Sequence, residues 1–387
     1  MKNFLGYLLG IAVAVMLTIE ISGSGGIFII SLLIIALIFS LIIMLISSRS
    51  VRAGLELSAG IVGKYDDITA NISVSKATVL PTCFVDITLG FTPNIRSEND
   101  KLTYRFIFTK SEGETIKIPL YAELCGGADV YVSEIVLTDY LGIFKKRIKQ
   151  LPEKCELRII PRIPDAGSQS EIIRSSSQAI SFDDSDEESD ETSAALTGFP
   201  GYEHRQYFPG DPLKRVNWKL SSKKEELMVR LDEKVTSSSQ IFQLDLPEWG
   251  SGEDLLKYYE NFDKTIEAAL SMQSMLLLSG FEGEFNYFLD GWESIAVKDE
   301  KDLLYLQERL AGIRPYPPES RLPEHNINPK SKAMICFTSC MLGMEKEAAV
   351  ISDGYTGSFV VTAFGGIGKL NGETWEVNDD FEFSRIQ

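Results

Sequence analysis

In this 387-residue chain the side chains from which a thiol hydrolase could be built are two histidines, His204 and His325, and five cysteines, Cys83, Cys125, Cys155, Cys336 and Cys340. A thiol hydrolase needs an imidazole within hydrogen-bond reach of a thiol, and an acid to orient the imidazole. Cys336 lies inside the apolar run KAMICFTS, which reads as a core strand. His325 sits in the proline-rich stretch RPYPPESRLPEHNINP, a poor scaffold for a positioned base, and no nucleophile lies near His204 in sequence. No CxxC pair exists to build a zinc site of usual spacing. GGIG at 365–368 lacks the strand and helix of a nucleotide fingerprint. No catalytic residue, cofactor or metal is therefore expected. A membrane hydrolase or metal-dependent binding protein with an unrecognised site is the alternative from another class.

Binding chemistry has a stronger signal in EHRQYFPGDPLKRVNWKLSSKKEELMVR, Glu203 to Arg230. Seven bases (Arg205, Lys214, Arg215, Lys219, Lys223, Lys224, Arg230) less three acids (Asp211, Glu225, Glu226) give +4 in a chain of net charge -17. Pro209-Gly210 suits a type II turn, and Asp211-Pro212 reads as an N-cap with proline at the first helical position. The helix is expected to turn Leu213, Val216 and Leu220 inward, with Trp218 beside them. Three uses are open: a structural motif, an anion site at the helix start, or a docking surface anchored by Trp, Tyr and Arg.

Other elements must hold that segment in place. Phe4–Ile19 and Ile27–Ile46 are apolar runs separated by SGSGG, with Lys2 before and Arg49 and Arg52 after. Length and flanking charge predict a two-helix membrane hairpin with both ends cytoplasmic. A cleaved signal peptide is the rival reading of the first run. From about Gly60 to Arg162, runs such as DITANISVSKAT alternate apolar and polar residues, which predicts a β-sandwich of immunoglobulin-like type. Seven carboxylates between Ser181 and Ser193 (Asp183, Asp184, Asp186, Glu187, Glu188, Asp190, Glu191) predict a solvated acidic loop. Strands then alternate with helices from IFQLDL onward, which predicts an α/β domain. The domains are 1–50, 51–165, 166–200 and 201–387. The acidic balance argues against nucleic acid as a partner.

Arg205-x-Tyr207-x-x-Gly210-Asp211-x-x-x-Arg215-x-x-Trp218-x-x-Ser221, followed by Leu227-x-Val229, resembles the signature of the domain-of-unknown-function-58 family. The layout is similar too: two membrane helices, a sandwich ending in DYLGIFKKR…IIPR, the signature, and an α/β domain. Gln206 and Ser222 depart from the family's usual acid and alanine. The resemblance implies a von Willebrand factor A-like fold for 201–387 and a plasma-membrane protein with cytoplasmic soluble domains. It also implies a MoxR-type AAA+ ATPase partner, docked through Arg205, Tyr207, Gly210, Asp211, Arg215, Trp218 and Lys219. That fold places a metal after its first strand through Asp-x-Ser-x-Ser. Here Asp245 is followed by Leu246, Pro247, Glu248 and Trp249, so the position is expected to be degenerate.

Overall fold

The computed structural model describes residues 2–20, 23–77, 83–98, 102–107, 113–164, 195–207, 216–224, 226–235, 240–248, 255–278, 282–317, 334–340, 359–362 and 373–385. The acidic run 183–191 lies outside the described residues. The chain divides into two compact units, Met1–Ile159 and Ile160–Gln387.

The first unit opens with helices α1 (Lys2–Glu20) and α2 (Gly23–Ser50). The helices replace the expected SGSGG turn almost completely, since α2 already begins at Gly23. A Cβ on Gly26 would lie 1.9 Å from the Thr18 hydroxyl oxygen of α1. Glycine there lets the two helices approach closely and stay helical. The Tyr7 hydroxyl of α1 also donates to the Leu33 carbonyl of α2. Among the described residues, Gly25–Ser50 is long and apolar enough to cross a membrane; the apolar stretch of α1, Asn3–Ile19, is shorter.

β1 (Val51–Leu57) follows α2 without a linker. It lies in a four-stranded antiparallel sheet of order β1-β3-β7-β5 with β3 (Asp67–Lys76), β7 (Glu114–Ala122) and β5 (Ile95–Ser97). The second sheet has order β2-β10-β8-β4-β6, with strands β2 (Ile61–Gly63), β10 (Cys155–Ile160), β8 (Gly126–Thr138), β4 (Phe84–Phe91) and β6 (Thr103–Phe106). β9 (Lys145–Arg147) pairs with the end of β8. The alternation read from the sequence is the burial pattern: Ile68, Ala70, Ile72 and Val74 of β3 face Val85, Ile87 and Leu89 of β4 in one shared core. In β8 the buried series Ala128, Val130, Val132 resumes at Ile135 and Leu137, one residue out of phase. A bulge opposite Thr88/Leu89 absorbs the extra residue, so the rest of the strand still faces inward.

β8 ends at a buried carboxylate. Asp139 Oδ2 accepts from the Ser40 hydroxyl of α2 at 2.7 Å and the Leu141 N–H at 3.3 Å, and Oδ1 accepts from the Phe144 N–H at 2.7 Å. Met44 of α2 joins the sandwich core, and Lys146 of β9 donates to Ser48 at 2.9 Å. The C-terminal half of α2 is thus part of the β unit's packing.

In the second unit β11 (Ala195–Gln206) pairs antiparallel with β12 (Met228–Val235), and the short helix α3 (Trp218–Lys224) lies between them in sequence. The main sheet has order β15-β14-β13-β16-β17-β18-β19. Its strands are β13 (Gln240–Asp245), β14 (Gly283–Phe288), β15 (Trp292–Val297), β16 (Met334–Thr338), β17 (Phe359–Thr362), β18 (Glu373–Val377) and β19 (Phe383–Arg385). Only the two edge strands, β15 and β19, run antiparallel to their neighbours. Helix α4 (Leu255–Leu278) buries Phe262, Ile266, Ala269 and Leu276 at helical spacing, and α5 (Glu300–Leu310) buries Leu303, Leu306 and Leu310. Asp299 caps α5 by accepting from the Asp302 N–H.

Tyr287 of β14, Glu293 of β15 and Arg309 in the last turn of α5 lock sheet edge to helix. Glu293 accepts from the Tyr287 hydroxyl and from the Arg309 guanidinium, both at 2.7 Å. Those bonds hold the Glu293 carboxyl below its usual range, and burial pushes the Tyr287 phenol up to about 12. A depressed carboxyl contributes stability above its unfolded value, lost as pH falls through the folded value. The pair is partly exposed, so its worth is under about 1 kcal/mol after screening. Urea unfolding should therefore find Glu293→Gln slightly less stable than the parent at pH 7, with the gap closing as the pH is lowered below the carboxylate range.

Candidate functional site

The basic segment folds back on a β ribbon. His204 pairs with Arg230, Arg205 with Val229 and Gln206 with Met228 across β11 and β12. The Tyr207 N–H donates to the Leu227 carbonyl at 2.8 Å, and Tyr207 is half-buried. Asn217 organises the rest. Its Oδ1 accepts from the Leu220 N–H at 3.1 Å, capping α3, and its amide nitrogen meets His204 Nε2 at 2.8 Å. Ser221 donates to the Asn217 carbonyl and accepts from the Met228 N–H at 2.9 Å, so α3 is stitched to β12. Val216 is buried and bridges to Val229.

This geometry corrects the sequence expectation. The described helix starts at Trp218 with Asn217 as its cap, and Trp218 is 63% exposed. The segment is too short for a helix face to carry both Val216 and Trp218 inward: the chain turns at Asn217, which leaves Val216 on the sheet and the indole outside. Lys219, Lys223 and Lys224 are exposed with it. Gly210, Asp211 and Arg215 lie outside the described residues; Arg205 is placed on β11 only by its backbone pairing. The structure thus brings an exposed tryptophan and three lysines together on α3, which Ser221 ties to β12, and His204 meets Asn217. Asn before an apolar residue was the sequence signal for the true cap.

A second cluster lies at the end of β13. Asp245 is fully buried and pairs in register with Thr338 of β16. Its Oδ2 accepts from the Thr338 hydroxyl at 2.7 Å and from the Cys340 thiol at 3.8 Å, and its Oδ1 accepts from the Tyr316 hydroxyl. The Ser339 N–H donates to the Asp245 carbonyl at 3.0 Å, and Asn261 of α4 holds the Ser339 carbonyl at 2.7 Å. Ligands of open α/β sheets gather at such strand ends, where the order reverses about the first strand. These residues do not fit the divalent cation that the resemblance implies. Both Asp245 oxygens are engaged by protein donors, and Leu246 and Pro247 offer no hydroxyl. Among the described residues, no three His, Cys, Asp or Glu side chains converge. Nor is the neighbouring thiol primed for attack. Burial, reinforced by the charge of Asp245, raises Cys336 well above the usual thiol range. Sequence reasoning singled out Asp245 but missed Tyr316, Thr338 and Cys340 as its partners.

Asp245→Asn would turn an amide N–H toward a hydroxyl donor, leaving a buried group unmatched at about 1–3 kcal/mol. Thermal unfolding should register that loss. A ligand bound only by the folded state must raise the melting temperature. Magnesium or manganese should leave it unchanged, and a saturable rise abolished by Asp245→Ala would overturn this assignment.

No family model matches the chain, and no curated protein matches it. Among solved structures, the chain is similar to a cohesin module from the Clostridium perfringens ATCC13124 family 33 glycoside hydrolase, at 10% identity over 28% of this chain and 96% of that one, with a TM-score of 0.22. The seventh ScaB type I cohesin from Pseudobacteroides cellulosolvens gives 10% identity over 29% and 94%, with a TM-score of 0.21. The sporulation control protein Spo0M from Bacillus subtilis gives 12% over 34% and 55%, with a TM-score of 0.20. At these scores the likenesses carry no argument about fold or function.

Proposed function

We propose that this chain is a non-catalytic scaffold of the domain-of-unknown-function-58 type, anchored in the plasma membrane, that docks a cytoplasmic MoxR-type AAA+ ATPase. The observation that carries the reading is the exposed Trp218, set beside Lys219, Lys223 and Lys224 on a ribbon whose own core does not need it. Tryptophan is among the residue types most enriched at binding hot spots, and this indole stands mostly in solvent beside three cationic side chains. The order β15-β14-β13-β16-β17-β18, antiparallel at β15, supports a von Willebrand factor A-like reading of the second unit. Two antiparallel sheets around one core support the immunoglobulin-like reading of the first. The exposed apolar side chains of α1 and α2, among them Leu5, Leu9, Phe28, Ile35 and Phe39, support a membrane hairpin, because water would not tolerate a patch of that size. Lys2, Arg49 and Arg52 support cytoplasmic ends.

Two experiments test this reading. A single cysteine placed among 183–191 should resist a membrane-impermeant thiol reagent in intact cells; labelling there would remove a cytoplasmic partner from consideration. Binding of the purified ATPase to the detergent-solubilised chain should weaken roughly tenfold or more in Trp218→Ala, the size of a hot-spot loss. Lys219→Ala should weaken it less, and the weakening should shrink as salt rises. Folding stability should stay within about 0.5 kcal/mol for both, as for other surface changes. Unchanged affinity in Trp218→Ala would sink the docking surface.

A further inference from the structure

The turn that closes β8 carries an arrangement of groups that the docking surface does not use. Residues Asp139–Phe144 are held against α2 by the Ser40–Asp139 bond, deep along a helix whose stretch from Ser40 to Ser50 covers about 15 Å. At that same height the opposite face of α2 is apolar and uncovered: Ile42 is 47%, Leu45 46% and Ile46 36% exposed. A lipid-facing surface and the β8 turn therefore stand side by side at one level. α1 marks the level independently, because Asn3, which with Lys2 opens the helix, donates to the Gly142 carbonyl at 3.3 Å. Polar α1 start on one side and apolar α2 face on the other are what the boundary between headgroups and acyl chains accommodates.

The turn itself has matching chemistry. Tyr140 is 43% exposed, and Leu141 and Ile143 are partly exposed. Lys145 and Lys149 follow, both exposed, with Arg49 exposed in the last turn of α2 and Arg52 exposed at the start of β1. Arg147 between them is tied to Glu134 at 2.5 Å. Tyrosine favours the membrane interface, where its ring sits in the boundary and its hydroxyl stays wet. Lysines just beyond an interfacial apolar group draw anionic lipid. Asp139, the carboxylate within the turn, is buried and satisfied by three donors, and Glu134 is paired with Arg147.

We propose that the Asp139–Phe144 turn is a lipid-contacting element: Tyr140, Leu141 and Ile143 enter the headgroup–acyl boundary, and Lys145 and Lys149 meet anionic headgroups. The inference rests on the membrane reading of α2. The depth required is that of interfacial apolar groups, about 5–10 Å. The test uses the full chain in bilayer discs of phosphatidylcholine, with or without phosphatidylserine, whose acyl chains carry bromine either near the headgroup or near the chain end. Tyr140→Trp should add emission that bromine quenches, more strongly from the position near the headgroup. Omitting phosphatidylserine, or combining it with Lys145→Glu and Lys149→Glu, should lessen that quenching. Phe28→Trp, on the exposed face of α2, should be quenched, and Lys117→Trp, on exposed β7, should not. Quenching of Phe28→Trp without quenching of Tyr140→Trp overturns the turn's role and leaves the membrane reading standing. If neither is quenched, the membrane reading falls and the turn's role falls with it.

Discussion

A carboxylate removed from water without a cation beside it must be met by hydroxyl, thiol or amide donors, and those donors come from distant segments of chain. Each unit of this protein is closed by one such group at the end of a central strand. Asp139 terminates β8 and gathers Ser40, Leu141 and Phe144; Asp245 terminates β13 and gathers Tyr316, Thr338 and Cys340. Losing one donor leaves a buried charge short of a partner, which costs more than a neutral hydrogen bond gains. The positions of α2 on the sandwich and of β16 on β13 are therefore set tightly. The constraint also decides what the sites can do: an aspartate whose lone pairs are spoken for is a structural clamp.

The units differ in what they leave outside. In the second, Cys336 and Cys340 are buried at the sheet while the Trp218 indole and three lysines stand in solvent, the distribution on which the proposed docking role rests. In the first, exposed apolar side chains crowd the helices, and Arg49 and Lys146 stand where α2 meets the β unit.

Much of this was legible from residue order alone. Alternation in DITANISVSK and FVDITLGF marked strands because each buries one face, and helical spacing marked α4 because its stripe covers a sheet. The misreadings have physical causes. Asp211-Pro212 is a strong local start signal, yet Asn217 supplies the cap for the described helix, since Ser221 and Met228 fix the helix there through contacts that local propensity does not encode. SGSGG reads as a loop in water, but glycines between apolar helices serve close packing instead. The partners of Asp245 lie 71, 93 and 95 residues away, and Ser40 lies 99 from Asp139. No spacing rule reaches across such distances.

The absence of any linker between Ser50 and Val51 has a mechanical consequence. A helix that runs straight into a strand, and is pinned to the same sandwich by Ser40, Met44 and Ser48, shares its orientation with that sandwich. Helices in bilayers answer changes in thickness by tilting. With α2 in a bilayer, as the proposed function has it, tilting the helix would therefore swing the whole β unit like the head of a lever. A thicker or thinner bilayer would present a different side of that unit to its surroundings, with no hinge to absorb the motion.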